Sequence, residues 1–273
     1  MSEMLSLIEA SERLGVHYMT AYRYVRTGRL PAEKQKGQWC VLLEDLAAFA
    51  DPDKAPPNRQ EAVPRQLVER LLAGDENGAF QLLEDSMASG AEAEEVYLDF
   101  ISPALADIGQ RWFDGEITVA DEHVASSILL RIIGRLGSRT ASRGRTKGTI
   151  LLAVVSNDHH GMPSALLRDV LRSRGYNAID LGPDTPPESI LERARDTNDL
   201  VAIGLCATIP GNDDIVSVTL SVLSEGIEAP IVVGGGAFTG ADHIESLGDC
   251  IGSTSNRDAI KIFDNIHRAR TVR

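Results

Sequence analysis

The chain has 273 residues, 43% of them hydrophobic and 25% charged, with 27 basic against 40 acidic side chains and a net charge of −13. That length suits about two domains or three small ones, and the mix excludes a disordered or collagen-like chain. No apolar run approaches the ~18 residues of a membrane span, Met1-Ser2-Glu3 does not open an export signal, and the dispersed Cys40, Cys206 and Cys250 argue against a disulfide framework. A cytoplasmic protein with no membrane partner is expected.

The charge is unevenly placed. Residues 1–50 hold six basic and six acidic side chains, so the whole −13 falls in residues 51–273. All the basic residues of the first segment except Arg13 lie between 23 and 36. A whole-chain charge therefore does not exclude a nucleic-acid partner for the first segment.

In chain order, Leu7–Leu14 reads as an amphipathic helix ending at Gly15. Gly15-Val16-His17 reads as a tight turn, and a second helix runs from about Met19 to Thr27 before Gly28. Helix, short glycine turn, helix is the helix-turn-helix layout, whose second helix enters the DNA major groove. Thr20, Arg23, Tyr24 and Arg26 are spaced by threes and fours on that helix. Arginine suits guanine edges and phosphates, and threonine and tyrosine suit phosphates. Lys36-Gly37 is the turn of an expected hairpin wing, followed by a helix near Leu43–Phe49. A plain two-helix hairpin with a surface basic cluster fits the same pattern.

Asp51–Asn58 is proline-rich and reads as a linker. From about Val63 to Thr140 apolar residues recur at threes and fours, which predicts a small helical bundle. Within it, Trp112 is followed after nine residues by Glu122-His123. Gly115 breaks one helix, and Thr118 with Asp121 caps the next. That spacing lets Trp112 approach Glu122 and His123; a core tryptophan beside exposed charges is equally compatible with it.

After a basic linker at Ser138–Lys147, short apolar runs at Thr149–Val155, Ala178–Leu181, Leu200–Cys206 and Pro230–Val233 alternate with amphipathic stretches such as Ser164–Ser173 and Glu188–Arg195. This predicts a doubly wound parallel sheet covered on both faces. Ligands of such sheets bind beyond the carboxyl ends of the strands. Asp158-x-His160 follows the first run, Cys206-x-Thr208 the third and Gly234-Gly235-Gly236 the fourth. An imidazole can hold a metal through one nitrogen while a carboxylate takes the proton of the other. Taken singly, each feature also suits an exposed loop or a tight turn, and His159 is expected to be a bystander.

Three resemblances follow. Ile8–Val16, Ala21–Pro31 and Trp39 resemble the excisionase-like and MerR-like winged helix-turn-helix domains. Asp158-x-His160, Cys206-x-Thr208 and Gly234-Gly235 resemble the cobalamin-binding α/β domains, as does the loop Leu181–Pro186. Pro163 stands where that family's motif ends in glycine, with Gly161 expected to supply flexibility, and Cys206 replaces a serine. With Trp-x9-Glu-His, the whole chain is similar to the adenosylcobalamin-dependent photoreceptor repressors.

That resemblance implies a multidomain α and α/β chain. A winged helix-turn-helix covers residues 1–52, a linker 53–62, a four-helix bundle cap 63–141, and a Rossmann-like cobalamin-binding domain with a doubly wound parallel sheet 147–273. It implies adenosylcobalamin as cofactor, with His160 as lower cobalt ligand, Asp158 as its partner, and Gly234 and Gly235 accommodating the nucleotide tail. Trp112, Glu122 and His123 belong to the upper ligand, and Cys206 and Thr208 to the cofactor site. Thr20, Arg23, Tyr24, Arg26 and Lys36 are the implied contacts to a double-stranded DNA operator, bound in the dark by a homo-oligomer, dimer or tetramer, and released by light. In the family a histidine follows the tryptophan; here Phe113 stands there and cannot ligate metal. No enzymatic activity is expected. The alternatives are a corrinoid methyl carrier of a methyltransferase system and a light-independent cobalamin-sensing regulator.

Overall fold

A computed structural model of the chain describes residues 4–26, 30–35, 38–50, 59–140, 142 and 144–271. The chain forms two compact units, residues 1–126 and 127–273. Among the described residues no helix is long and apolar enough to cross a membrane. Cys40, Cys206 and Cys250 are free thiols.

In the first unit, β1 (Met4–Ser6) pairs antiparallel with β3 (Gln38–Leu42), which pairs on its other side with β2 (Glu33–Gln35). Strand β1 was not expected, because three residues are too few to show a period of two. Helix α1 (Leu7–Arg13) starts in a capping box: the Glu9 N–H donates to Ser6 Oγ at 3.3 Å and the Ser6 N–H to Glu9 Oε2 at 2.8 Å. The Ser6 backbone N–H holds the Glu9 carboxyl below its ordinary value. Gly15, at φ +66, makes the turn into α2 (Tyr18–Arg26), and α3 (Leu43–Ala50) follows β3. Leu5, Leu7, Ala10, Ala21, Val25, Leu30, Val41 and Leu46 form one small core.

The helical segment begins with α4 (Arg59–Leu72), earlier than the expected start at Val63, so the linker's last four residues are helical. Pro64 lies inside α4. α5 (Glu76–Ala88) is capped by Asp75, which accepts from the Gly78 N–H at 2.8 Å and pairs with Arg70 at 2.8 Å. Next come α6 (Ala93–Glu95), a π-helical stretch over Val96–Ile101, and α7 (Ser102–Phe113). Pro103 explains the wide turn: it has no N–H, and its ring would crowd the carbonyl four residues back in an ordinary α-helix. The Ser102 N–H accordingly reaches the Tyr97 carbonyl, five residues back. α8 (Val119–Thr140) buries Ala125, Ile128, Leu129, Ile132, Ile133 and Leu136, a row at helical spacing.

The second unit contains β4 (Thr149–Val154), α9 (Met162–Ser173), β5 (Asn177–Asp180), α10 (Pro187–Arg195), β6 (Leu200–Cys206), α11 (Asp213–Ser224), β7 (Ile231–Gly234), α12 (Ala241–Glu245), β8 (Ile251–Ser253) and α13 (Asn256–Thr271). The five strands are all parallel, in the order β5-β4-β6-β7-β8. Alternation along β4 sorts its faces. Leu151, Ala153 and Val155 join a core with Ile190, Ala194, Val216, Leu220 and Ile244 of α10–α12. Leu152 lies on the face closed by α13, where Gly204 leaves room for Leu152 and Phe263. Strand order reverses at β4, so the crevice beyond β4 and β6 is the switch point where ligands of such sheets bind.

The opposite end of the sheet is fastened by Asp264 of α13. It accepts from Arg174 at 2.7 Å and from the Tyr176 hydroxyl at 2.8 Å, with Lys147 at 3.5 Å. Burial pushes the Asp264 carboxyl up, but the bonds from Arg174 and Tyr176 outweigh it and hold the group below its usual range. A carboxylate lowered in the folded state contributes in full above its unfolded value of about 3.9, and the contribution is lost as pH falls through the folded value. Asp264→Ala is expected to cost about 2 kcal/mol in urea unfolding at pH 7, below a fully buried pair because Arg174 and Lys147 remain partly in water. The gap to the parent should close toward pH 2.

Candidate functional site

The switch-point loop begins where β4 ends. Val155 still bridges Thr185, and Asn157, at φ +64, turns the chain so that Asp158 lies fully buried. Asp158 Oδ1 accepts from the His160 N–H at 3.0 Å and sits 2.8 Å from His160 Nδ1. Its Oδ2 accepts from the backbone N–H groups of Thr208 and, at 3.3 Å, Ile209. One carboxylate thus ties the loop after β4 to the loop after β6. Burial alone would raise its carboxyl, but the N–H groups of Thr208 and His160, then the imidazole and Ile209, hold it below the usual carboxylate range.

An ionised Asp158 accepts, so the proton of the imidazole belongs on Nδ1, and Nε2 keeps its lone pair. The His160 side chain is 57% exposed. This is a single, oriented nitrogen donor at the ligand-binding edge of the sheet. Among the described residues no group of three or more His, Cys, Asp or Glu side chains could enclose a metal ion. One oriented nitrogen backed by a buried carboxylate suits a metal that brings its other ligands with it. His159 is exposed.

Two neighbours hold this loop in place. Asp184, at φ +52, accepts from the Asn157 N–H at 2.7 Å and donates its own N–H to the Asp158 carbonyl at 2.9 Å. Asp180 accepts from Ser164 Oγ at 2.7 Å and the Gly182 N–H at 3.1 Å. Neither role is legible at a separation of 16 to 27 residues. Gly161 was expected to supply flexibility, yet its φ is −73. Its want of a side chain matters instead because Pro183 packs where a Cβ would go, 3.0 Å away. Pro163 falls in the first turn of α9, where a missing N–H costs nothing, so that helix starts at Met162 rather than Ser164.

On β6, Cys206 Sγ lies 3.8 Å from Thr208 Oγ1, and burial pushes its thiol up to about 11. It stays neutral near pH 7. After β7, Gly235 adopts φ +132, and a Cβ there would overlap the Ala207 carbonyl oxygen. Gly234 would meet Ser253 O at 3.0 Å. Both glycines are thus required for backbone packing, apart from any room they leave for a ligand.

In the first unit, Trp112 ends α7 half exposed, Phe113 is 79% exposed, and Gly115 at φ +74 turns the chain. Thr118 and Asp121 form the expected cap: Thr118 N–H to Asp121 Oδ2 at 2.9 Å, and Asp121 N–H to Thr118 Oγ1 at 3.2 Å. Glu122 accepts from the Ser126 hydroxyl and stands 3.7 Å from His123 Nε2. Ser126 was not anticipated, although it sits one turn on from Glu122. The His123 ring is largely exposed.

In the head, Arg26 is exposed and Thr20 half-buried on α2. Tyr24 does not share an open face with them: its ring packs on Phe49, centroids 5.1 Å apart, at the margin of the core. Lys36 and the side chain of Arg23 lie outside the described residues. Sequence reasoning missed Tyr18 and Met19, both exposed at the start of α2, with Tyr18 stacked on Tyr22. Lys34 Nζ lies 5.1 Å over the Trp39 ring in the wing.

Comparison with known proteins matches residues 63–136 and residues 148–262 to two B12 binding domain models, and residues 4–52 to a helix-turn-helix domain. The chain is 22% identical over 200 residues to a methanol–corrinoid protein of Methanosarcina barkeri, covering 73% of this chain and 77% of that one. It is 20% identical over 208 residues to a trimethylamine corrinoid protein of Methanosarcina barkeri, covering 74% and 95%. A solved monomethylamine corrinoid protein of Methanosarcina barkeri aligns at TM-score 0.61 and 17% identity, covering 74% of this chain and 97% of that one, and so shares the fold. The chain joins a helix-turn-helix domain to two B12-binding domains and binds a corrinoid.

Proposed function

We propose that this chain is an adenosylcobalamin-dependent, light-released transcriptional repressor, cytoplasmic and not an enzyme, that holds a double-stranded DNA operator as a homo-oligomer in the dark. The observation that carries this reading is the pairing of a helix-turn-helix head with the oriented Asp158–His160 donor in a B12-binding chain. A light role is added by the Trp112-x9-Glu122-His123 pattern and its resemblance to the photoreceptor repressors. The corrinoid, when bound, supplies a cobalt–carbon bond that green or blue light breaks.

The residues divide the work. His160 would hold cobalt through Nε2, and Asp158 keeps the imidazole in the tautomer that leaves Nε2 its lone pair. Gly234 and Gly235, with Cys206 and Thr208, form the rim that takes the nucleotide tail. By the resemblance, Trp112, Glu122 and His123 would belong to the adenosyl group, with Glu122 held by Ser126. Without that group Trp112 would lose a packing partner. Phe113 offers cobalt no nitrogen, and His123 or water would be the ligand in its place after light. Thr20, Arg23, Arg26 and Lys36 contact DNA, and several linked heads raise effective concentration without new base contacts.

Holo protein prepared in the dark is expected to sediment as a dimer or tetramer and to bind operator DNA roughly 100-fold more tightly than after illumination. Unchanged oligomer and DNA affinity under light would refute the light switch and leave a cobalamin-sensing regulator. Anaerobic spectra of His123→Ala before and after light identify the upper ligand. The corrinoid relatives favour one other reading, a methyl carrier. A bound methyl group and turnover with a methyltransferase would establish it.

A further inference from the structure

We infer that Met19, flanked by Tyr18 and Tyr22, reads thymine 5-methyl groups in the operator's major groove; this rests on the head binding duplex DNA. Ala21 and Val25 of α2 are buried in the head's core. On a helix of 3.6 residues per turn, the positions farthest from that pair are Arg23, then Met19, then Thr20 and Arg26 equally. Met19 is 59% exposed and Tyr18 41%, at the first two residues of the second helix of the motif. In helix-turn-helix proteins the N-terminal residues of that helix reach the base edges.

The start of the helix is held in place. The Met19 N–H donates to His17 Nδ1 at 3.3 Å, and the Thr20 N–H to the His17 carbonyl at 2.8 Å. Tyr18 and Tyr22 stack one turn apart with ring centroids at 6.3 Å and planes 19° apart, which stiffens the wall beside Met19. Helix α2 carries two arginines and no acidic residue, which suits a phosphate-lined groove. The Met19 thioether has no donor for guanine and only a weak acceptor for the cytosine amine, and the Tyr18 and Tyr22 rings add an apolar wall beside it. They do match the one apolar group of the major groove, the thymine methyl. The aromatic contact to DNA therefore moves from Tyr24, committed to Phe49, to Tyr18 and Tyr22.

The test uses the full-length holo chain in the dark. Duplexes are selected from a random-sequence pool, and the bound sequences are resynthesised with deoxyuridine replacing single thymidines, which deletes only the methyl. At one or two positions of each half-site the loss of a methyl is expected to weaken binding about fourfold. Met19→Ala should bind the thymine and uracil duplexes alike, with an unchanged thermal melt and corrinoid spectrum, while Met19→Leu keeps the preference. Equal binding of thymine and uracil duplexes at every position by the parent chain overturns the inference and leaves the DNA-binding reading intact. A Met19→Ala chain that keeps the preference also overturns it. A pool that yields no bound duplex overturns both.

Discussion

His160→Ala is expected to lose the nitrogen that holds cobalt, with corrinoid affinity falling about 100-fold or more in a titration followed by visible absorbance. Asp158 sets which nitrogen is available. Its carboxylate is buried, held ionised by four donors, and 2.8 Å from His160 Nδ1, so Nε2 is the free donor. Asp158→Asn should lower affinity by roughly 10–100-fold, since an amide no longer fixes the tautomer or raises basicity. It also turns an N–H donor toward Thr208 and Ile209 or toward His160, each of which donates to this group already. A unit that unfolds more easily is therefore expected of Asp158→Asn and not of His160→Ala, whose ring is largely in solvent. A His160→Ala chain with unchanged spectrum and affinity would remove His160 from the site.

Gly235→Ala is expected to destabilise the second unit by about 3–5 kcal/mol, a large share of the ~5–15 kcal/mol that holds a domain together. Two costs combine. The residue sits at φ +132, which side-chain-bearing residues rarely adopt, and the added methyl would overlap the Ala207 carbonyl, which is backbone and cannot swing aside. The Ala237 N–H donates to that same carbonyl at 3.1 Å, so moving it breaks a second contact. Gly236→Ala is the control: its Cβ would meet Thr208 O at 3.6 Å, an ordinary contact, and the change should stay within about 1 kcal/mol. Urea unfolding of the two variants side by side tests the contrast. Equal stabilities would mean that the close approach of the loops after β6 and β7 is not needed.

Much of the architecture was legible because its signals are local. The helix–turn–helix of the head, the Thr118–Asp121 cap and the alternation of apolar runs with amphipathic stretches each need only a few consecutive residues to show. The errors follow the same logic. β1 and β8 have three residues each, too few to display alternation. The partners of Asp158 other than His160 could not be read. Thr208 is 50 residues away and Asp184 is 26 residues away, and they meet it only because strand order reverses at β4.

What the sequence determined by itself was the kind of chain this is: a charge-neutral head before residues 51–273, which carry all of the −13, and an Asp-x-His at a strand's carboxyl end. Local periodicity, caps and charge are properties of neighbours along the chain. Tertiary structure alone decided which groups act together. Sheet register brought Thr208 onto Asp158 and Ala207 against Gly235, and the head's packing turned Tyr24 inward to Phe49 while leaving Met19 in the open. Those outcomes depend on through-space distances between residues far apart in the chain, or on which side of a helix the core takes, and no spacing along the sequence encodes either.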